Sequence, residues 1–266
     1  MKLPTRIVEK PWGRTDIPLS FGDFGGRRIG EIWFEDPDGD LAPLMVKWLF
    51  TSERLSIQVH PDDDAARAVG FARGKEECWL VLDAQGGAEL GVGLKAPSSG
   101  EALRAAALDG SIVDLIDWRS AKAGDFVYNA AGTIHAIGAG LMVVEVQQNV
   151  DCTYRLYDYA RPRELHLDAG LAVARMEPHD DPRDCRIQVD ATQRLVSGPH
   201  FHLIRSVGPI DHNALPADQG RYTIVPLGHG CAVDGEALNL GEGAIVDTLG
   251  KLDLQAGASA LIAWPA

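Results

Sequence analysis

Gln58 and His60 stand two positions apart in Leu55-Ser-Ile-Gln-Val-His-Pro61. On an extended chain, side chains two apart leave the same face, so an amide oxygen and an imidazole are presented side by side as paired metal ligands would be. A lone Q-x-H recurs by chance and carries little weight. Gly74-Lys-Glu-Glu-Cys-Trp79 then supplies carboxylates, and Glu77 immediately precedes the apolar run Cys78-Trp-Leu-Val-Leu82. Glu76 and Glu77 must point to opposite faces of a strand, so only one of them can share a metal with the Q-x-H pair.

A fourth candidate lies further on. Gly124-Asp-Phe-Val-Tyr-Asn-Ala-Ala-Gly-Thr-Ile-His135 resembles the second cupin motif, G-x5-P-x-G-x2-H, in which a turn between two barrel strands carries a ligand histidine inward. Ala130 stands where that motif has proline, which predicts a looser turn. Gln58, His60, Glu77 and His135 together offer a neutral amide oxygen, two imidazoles and one carboxylate, a set suited to Zn²⁺ or another borderline divalent ion. With one anionic ligand such a site keeps a formal charge of about +1 and stays electrophilic, as a Lewis acid must.

These residues need strands to position them. The chain carries 29 Gly and 15 Pro, and short apolar runs separated by turn signals predict mostly β structure. Runs at 44–50, 78–82, 125–128 and 141–146 read as strands. Two helical stretches interrupt them. One follows Pro61, where Asp62, Asp63 and Asp64 can cap a helix through 65–69. The other runs from Pro97 through 101–108 and on to Ile112, Leu115, Ile116 and Trp118 at helical spacing, packing over the sheet. Residues 176–184, rich in proline and acids, read as a linker. Beyond it, runs at 201–205, 221–225, 232–237, 243–247 and 258–263 predict a smaller β unit. The expected architecture is a cupin jelly-roll barrel with helical insertions over 1–175, then a second, smaller cupin-like β domain over 185–266.

Composition narrows the function classes. The 266 residues are 45% hydrophobic, enough for a sizeable core, and the formal net charge of −13 excludes an affinity built on neutralising nucleic-acid phosphates. No stretch reaches the ~18 uninterrupted apolar residues of a membrane span, and no apolar leader follows the first basic residues, so the expectation is a cytoplasmic protein. Four widely spaced cysteines without a C-x-x-C pair fit buried, reduced thiols. An anionic ligand would therefore need a locally basic pocket.

Several segments carry a more specific likeness. Leu55-Ser-Ile-Gln-Val-His-Pro-Asp62, Gly74-Lys-Glu-Glu-Cys-Trp79, Ala131-Gly-Thr-Ile-His-Ala-Ile-Gly-Ala-Gly140, Val144-Glu-Val-Gln-Gln-Asn149 and Thr153-Tyr-Arg-Leu-Tyr-Asp158 resemble signature segments of short bacterial type I mannose-6-phosphate isomerases, members of the cupin superfamily. Lys10-Pro-Trp-Gly13 and Gly30-Glu-Ile-Trp33 resemble the opening segments of that family, so the likeness spans roughly residues 8 to 170. It implies a zinc enzyme interconverting mannose 6-phosphate and fructose 6-phosphate, with Gln58, His60, Glu77 and His135 as ligands and Arg155 in the active site. Val150 replaces a small polar residue. Ala169 stands where the likeness implies a lysine, which would remove a phosphate contact.

Aldose–ketose isomerisation moves a proton between C1 and C2 through an enediolate, so it needs an acid/base near both carbons and a positive group near both oxygens. Lys75, two residues before Glu77, is a candidate acid/base and substrate contact. Glu145, on an apolar strand ten residues before Arg155, is either a second acid/base or a structural partner of that arginine. Arg155 lies between Tyr154 and Tyr157, where its fork could hold a phosphate or an enediolate oxygen. Ser56 shares a strand face with Gln58 and could donate to phosphate. Trp12 and Trp33 read as core or rim, and His166, His179, His200, His202, His212 and His229 have no partner spacing. Two other functions compete: a two-histidine, one-carboxylate Fe(II) oxygenase, against which Gln58 as a fourth ligand counts, and a non-catalytic sugar-phosphate-binding cupin. The expected partner is a small sugar phosphate, with neither nucleic acid nor membrane; a homodimer is left open.

Overall fold

The computed structural model describes residues 1–210 and 220–266, so His212 lies outside the described residues. Two antiparallel sheets build the first half. In spatial order the seven-stranded sheet contains Thr5–Arg14, Ile29–Phe34, Leu44–Phe50, Leu141–Gln148, Glu77–Ala84, Asp125–Asn129 and Cys185–Arg186. The five-stranded sheet contains Tyr154–Tyr157, Ile57–Val59, His135–Ile137, Glu89–Leu94 and Ile116–Ser120. Leu49, Trp79, Val81 and Val143 of the first sheet share a buried cluster with Leu90, Val92 and Ile137 of the second, so the sheets face each other as a jelly-roll barrel.

Period-two alternation decides what faces the interior. On Leu141–Gln148, Val144 and Val146 pack outward with Trp48, Leu80 and Phe126, while Val143 joins the interior cluster. Glu145 and Gln147, in step with Val143, are therefore carried inward. The same rule brings Met45, Lys47 and Leu49, and Glu77 and Trp79, to the inner face. The outward apolar face is covered by the second half: Phe201, Leu203, Val225, Leu261 and Ala263 belong to the same buried cluster as Val46, Trp48 and Tyr128. The outer face of the smaller sheet is covered by helices, with Leu103, Ala106, Ala107 and Ile112 packed on Ile57, Val59, Ile134 and Leu156.

The second half contains a five-stranded sheet, Gln193–Ser197, Phe201–Val207, Ser259–Pro265, Tyr222–Pro226 and Ala244–Val246, and a three-stranded sheet, Glu236–Leu238, Cys231–Val233 and Leu252–Leu254. Between the halves, residues 176–184 lie against the barrel. Leu94 N–H donates to Glu177 O at 3.2 Å, Arg119 Nη2 to His179 O at 2.7 Å, and Tyr128 N–H to Asp184 Oδ1 at 2.9 Å. Arg183 stacks over Tyr128, 3.2 Å from the ring centre.

Three sequence expectations need correction. The helical pattern from Pro97 to Trp118 is not one helix: Gly100–Asp109 ends at Gly110, which is left-handed with φ 87°, a short helix Ile112–Leu115 follows, and Ile116–Ser120 is a strand. Glycine supplies that conformation without a Cβ clash and terminates the helix. The run 232–237 is a hairpin, Cys231–Val233 and Glu236–Leu238, turned by Asp234 at φ 52° and Gly235 at φ 79°. Asp-Gly between short apolar runs is the strongest short-range hairpin signal. The Asp-rich cap is as expected: Asp62 accepts from Ala65 N–H and opens the helix Asp63–Ala68, a contact contributing about 1 kcal/mol. All four cysteines are free; Cys185 is exposed, against the expectation of uniformly buried thiols.

Candidate active site

His60, Glu77 and His135 are all buried, each offers one ligand atom, and these atoms lie within 4.8 Å of one another. Their convergence follows from pairing: Gln58 is opposite His135 across Ile57–Val59 and His135–Ile137, and Glu77 begins the strand on the facing sheet. The turn that delivers His135 needs Gly132, whose φ is 84° and where a Cβ would sit 2.9 Å from Val173 O. Ala130 in place of proline does not open this turn, because Gly132 N–H donates to His60 O at 2.8 Å and Thr133 N–H to Ala130 O at 3.0 Å.

Both imidazoles are oriented from behind. His60 Nδ1 is 3.0 Å from Cys152 O, and His135 Nδ1 is 2.9 Å from both Thr133 O and Asn129 Nδ2; a carbonyl oxygen can only accept, so the tautomer that donates to it from Nδ1 leaves each Nε2 free to act as an inward ligand. Each Nε2 lies 3.4 Å from a Glu77 oxygen. Glu77 Oε1 accepts from Asn129 Nδ2 at 2.9 Å. Lys75 Nζ, 2.9 Å from Oε2 and 3.1 Å from His60 Nε2, makes an ion-pair contact there and shows that a cation is stabilised at this point. One buried carboxylate whose two oxygens each face an inward imidazole nitrogen is a donor set that fits a divalent ion. Among the described residues this set could hold one.

The protonation states suit ligation. Burial, then the Lys75 ammonium, pushes the His60 imidazole down to about 4, against the pull of Glu77. Burial also lowers His135, again opposed by Glu77. Burial alone would raise Glu77, but Lys75 and His60 hold it well below the usual carboxylate range. Near neutral pH the group therefore presents two neutral imidazoles and one carboxylate, the forms that bind metal.

Gln58 adjoins this group, its Nε2 3.3 Å from His135 Nε2 and its Oε1 accepting from Ser56 Oγ at 3.0 Å. Turning the amide by 180° about its last bond would present Oε1 to the group, and the Ser56 hydroxyl could then accept from Nε2. Ser56 is buried and engaged with Gln58.

Gln58, Lys75 and Trp79, which touch the group, also line a cleft of about 780 Å³, including its mouth, whose charged lining is Lys10, Lys47, Lys75, Arg155 and Arg163 against Glu31, Glu145 and Asp151. Five cations against three carboxylates make a basic pocket in a chain of net charge −13. Trp12, Trp33 and Trp79 supply apolar wall. Glu145 is buried, but its partner is not Arg155: Lys47 Nζ is 2.8 Å from Oε1 and Trp79 Nε1 donates to Oε2 at 3.0 Å. Arg155 instead pairs in register with Gln58, reaches the cleft, and has a buried Nε without a partner. Its backbone is held by His166, whose N–H donates to Arg155 O at 2.7 Å. Ala169 is exposed on the helix Leu167–Val173 and does not line the cleft.

Sequence reading missed Lys10, Glu31, Lys47 and Arg163. Lys47 and Glu31 were detectable in principle, as charged residues at inward positions of apolar strands. Arg163 had no such signal, because a loop brings it back to the barrel.

No family model matches the chain. A mannose-6-phosphate isomerase of Streptococcus mutans is 35% identical over 273 residues, covering 84% of this chain and 86% of that protein. The chain belongs to the mannose-6-phosphate isomerase family. The mannose-6-phosphate isomerase ManA of Bacillus subtilis is 39% identical over 165 residues, 57% of this chain. That match and a second one at 39% identity span only about half of the Bacillus subtilis proteins, 52% and 54% of their lengths. The crystal structure of the mannose 6-phosphate isomerase from Bacillus subtilis superposes with a TM-score of 0.83 at 26% identity, covering 99% of this chain and 98% of that one. A phosphomannose isomerase from Salmonella typhimurium, at 12% identity and a TM-score of 0.74, shares the fold.

Proposed function

We propose that this member of the family is a metal-dependent aldose–ketose isomerase that interconverts D-mannose 6-phosphate and D-fructose 6-phosphate. The observation that carries the reading is the buried His60, Glu77 and His135 group, joined to a basic cleft through Gln58 and Lys75, which touch the group and line the cleft. Its relatives' names point to the same reaction. Gln58, His60, Glu77 and His135 would hold the ion, with Zn²⁺ as the ion we favour for two imidazoles, one carboxylate and an amide oxygen. When bound it would supply the positive charge that polarises the C1 and C2 oxygens. Residues 1–175 form the catalytic unit in this reading, and 185–266 support the outer face of its sheet.

The chain's own residues divide the remaining work. Lys75 and Glu145 border the cleft and are the groups that would pass a proton between C1 and C2. The Lys47 ammonium, 2.8 Å away, keeps Glu145 paired as an acceptor. Arg155, which lines the cleft and whose Nε has no protein partner, would stabilise negative charge on the enediolate or the phosphate. Arg163 is the second anion contact: its Nε and Nη2 donate to the buried Asp158 at 2.6 and 2.7 Å, which fixes the guanidinium and leaves Nη1 for the cleft. This bracing offers a phosphate contact without a lysine at position 169. Ser56 would act through Gln58 and adjoin the substrate.

The test is to supply the protein with fructose 6-phosphate and follow mannose 6-phosphate together with dissolved oxygen. Product without oxygen uptake is expected. Oxygen consumption, or tight sugar-phosphate binding without turnover, would refute the isomerase assignment in favour of an oxygenase or a binding protein.

A further inference from the structure

The inner face of the seven-stranded sheet carries a row of residues set directly opposite one another. Trp33 pairs with Lys47, Lys47 with Glu145, and Glu145 with Trp79, each across neighbouring strands. Cross-strand neighbours on one face have Cβ atoms about 5 Å apart, so the side chains can touch in sequence along the row. They do. The Lys47 ammonium lies 5.7 Å from the Trp33 ring centre and 2.8 Å from Glu145 Oε1, and Trp79 Nε1 donates to Glu145 Oε2 at 3.0 Å. The row ends on the metal-binding group, where the Trp79 ring meets the His135 ring edge-on at 5.4 Å and 61°.

We propose that Trp79 is a positioning residue for the isomerisation, fixing the Glu145 carboxylate over the cleft by its indole N–H while its ring braces His135. This rests on the isomerase reading for its kinetic consequences. Glu145 and Trp79 are 3% and 1% exposed, so no water competes for the bond, and a carboxylate held on both oxygens has one orientation available. A lysine alone would not achieve this, since an ammonium is a point charge around which a carboxylate can swing. An indole N–H is directional and is carried by a ring that packing immobilises. The result is a fixed distance between the carboxylate and the imidazole that faces Glu77. Proton transfer needs that accuracy, because a misplacement of ~1 Å can cost on the order of 10²-fold in rate.

The test is a double-mutant cycle on the metal-loaded enzyme, using Trp79→Phe and Glu145→Gln. Phenylalanine keeps an aromatic edge against His135 and removes only the donor. Trp79→Phe should retain its metal, leave KM nearly unchanged and lower kcat by ~10-fold or more, as expected for losing a hydrogen bond to a charged group. In the Glu145→Gln background the same substitution should change kcat by less than ~2-fold, because residues acting through one contact are not additive. Full additivity would overturn the proposal, since a merely structural tryptophan would cost the same in both backgrounds. A second readout needs no turnover. The indole N–H resonance of Trp79, assigned by its loss in Trp79→Phe, should move upfield in Glu145→Gln. An unmoved resonance would show that the contact is absent, and would overturn the proposal even in an active isomerase. A moved resonance in a protein without isomerase turnover would uphold the contact and count against the function alone.

Discussion

Gln58→Glu isolates the charge of the site from its shape. The substitution keeps size and an oxygen donor but adds a negative charge to a group whose ligand atoms lie within 4.8 Å of one another, taking the formal charge of the loaded site from about +1 to about 0. A unit charge ~5 Å from the reacting oxygens, at an effective dielectric constant of ~20, changes their interaction by about 3 kcal/mol. Part of that change acts on the bound substrate as well as on the enediolate, which leaves roughly 2–3 kcal/mol of transition-state stabilisation, or ~30- to 150-fold in rate. Metal affinity should hold or rise, since a carboxylate is the stronger ligand. The Ser56 hydroxyl, 3.0 Å from the end of the Gln58 side chain, can rotate to donate to the carboxylate oxygen turned away from the ion, so a local hydrogen bond survives. The assay is coupled turnover of mannose 6-phosphate, with metal content measured by mass spectrometry on the same sample. Wild-type rate at full metal occupancy would refute both the ligand role of Gln58 and the charge argument.

Arg155→Ala should leave the fold and the metal intact and reduce turnover by ~10²-fold or more, as for loss of an anion-stabilising contact in a desolvated pocket; near-normal activity would remove Arg155 from the mechanism. Arg163→Ala should act mainly on binding, raising KM for the phosphorylated sugar ~10-fold or more through loss of a charge-assisted contact and weakening competition by inorganic phosphate. Unchanged phosphate inhibition would place the anion elsewhere. Incubation with fructose 6-phosphate in heavy water should put deuterium at C1 or C2, seen by mass spectrometry, because a proton lost to a side-chain base can exchange before it returns. Complete absence of label would point to hydride transfer or a base sealed from solvent.

Much of this site is local in sequence, which is why it could be read. Gln58 and His60 come from one strand edge, Lys75 and Glu77 from the next, and His135 from a turn whose glycine spacing is specific. What escaped the reading is created by strand pairing. Lys47, Glu145 and Trp79 are far apart in the chain and meet only because their strands are neighbours in register, so the sequence offers Arg155, ten residues away, as one of two readings of Glu145 and gives no sign of Lys47. Arg163 is similar: its place in the cleft depends on the buried Asp158, which also binds Arg161. In the fold, alternating strands were legible because one face is apolar. The helix expected through Trp118 failed at Gly110, where apolar spacing continued past a left-handed glycine. The hairpin at Asp234-Gly235 failed through the opposite oversight, a turn signal inside a short apolar run.

The central claim is that a divalent ion held by Gln58, His60, Glu77 and His135 makes this cleft an isomerase. The direct measurement is coupled turnover of mannose 6-phosphate by one preparation, assayed first after chelation and then after reloading with one equivalent of zinc. The account predicts loss of nearly all activity on stripping, recovery on reloading, and no recovery in Glu77→Ala at the same zinc concentration. Undiminished turnover by metal-free protein, or a Glu77→Ala variant as active as the wild type, would contradict it.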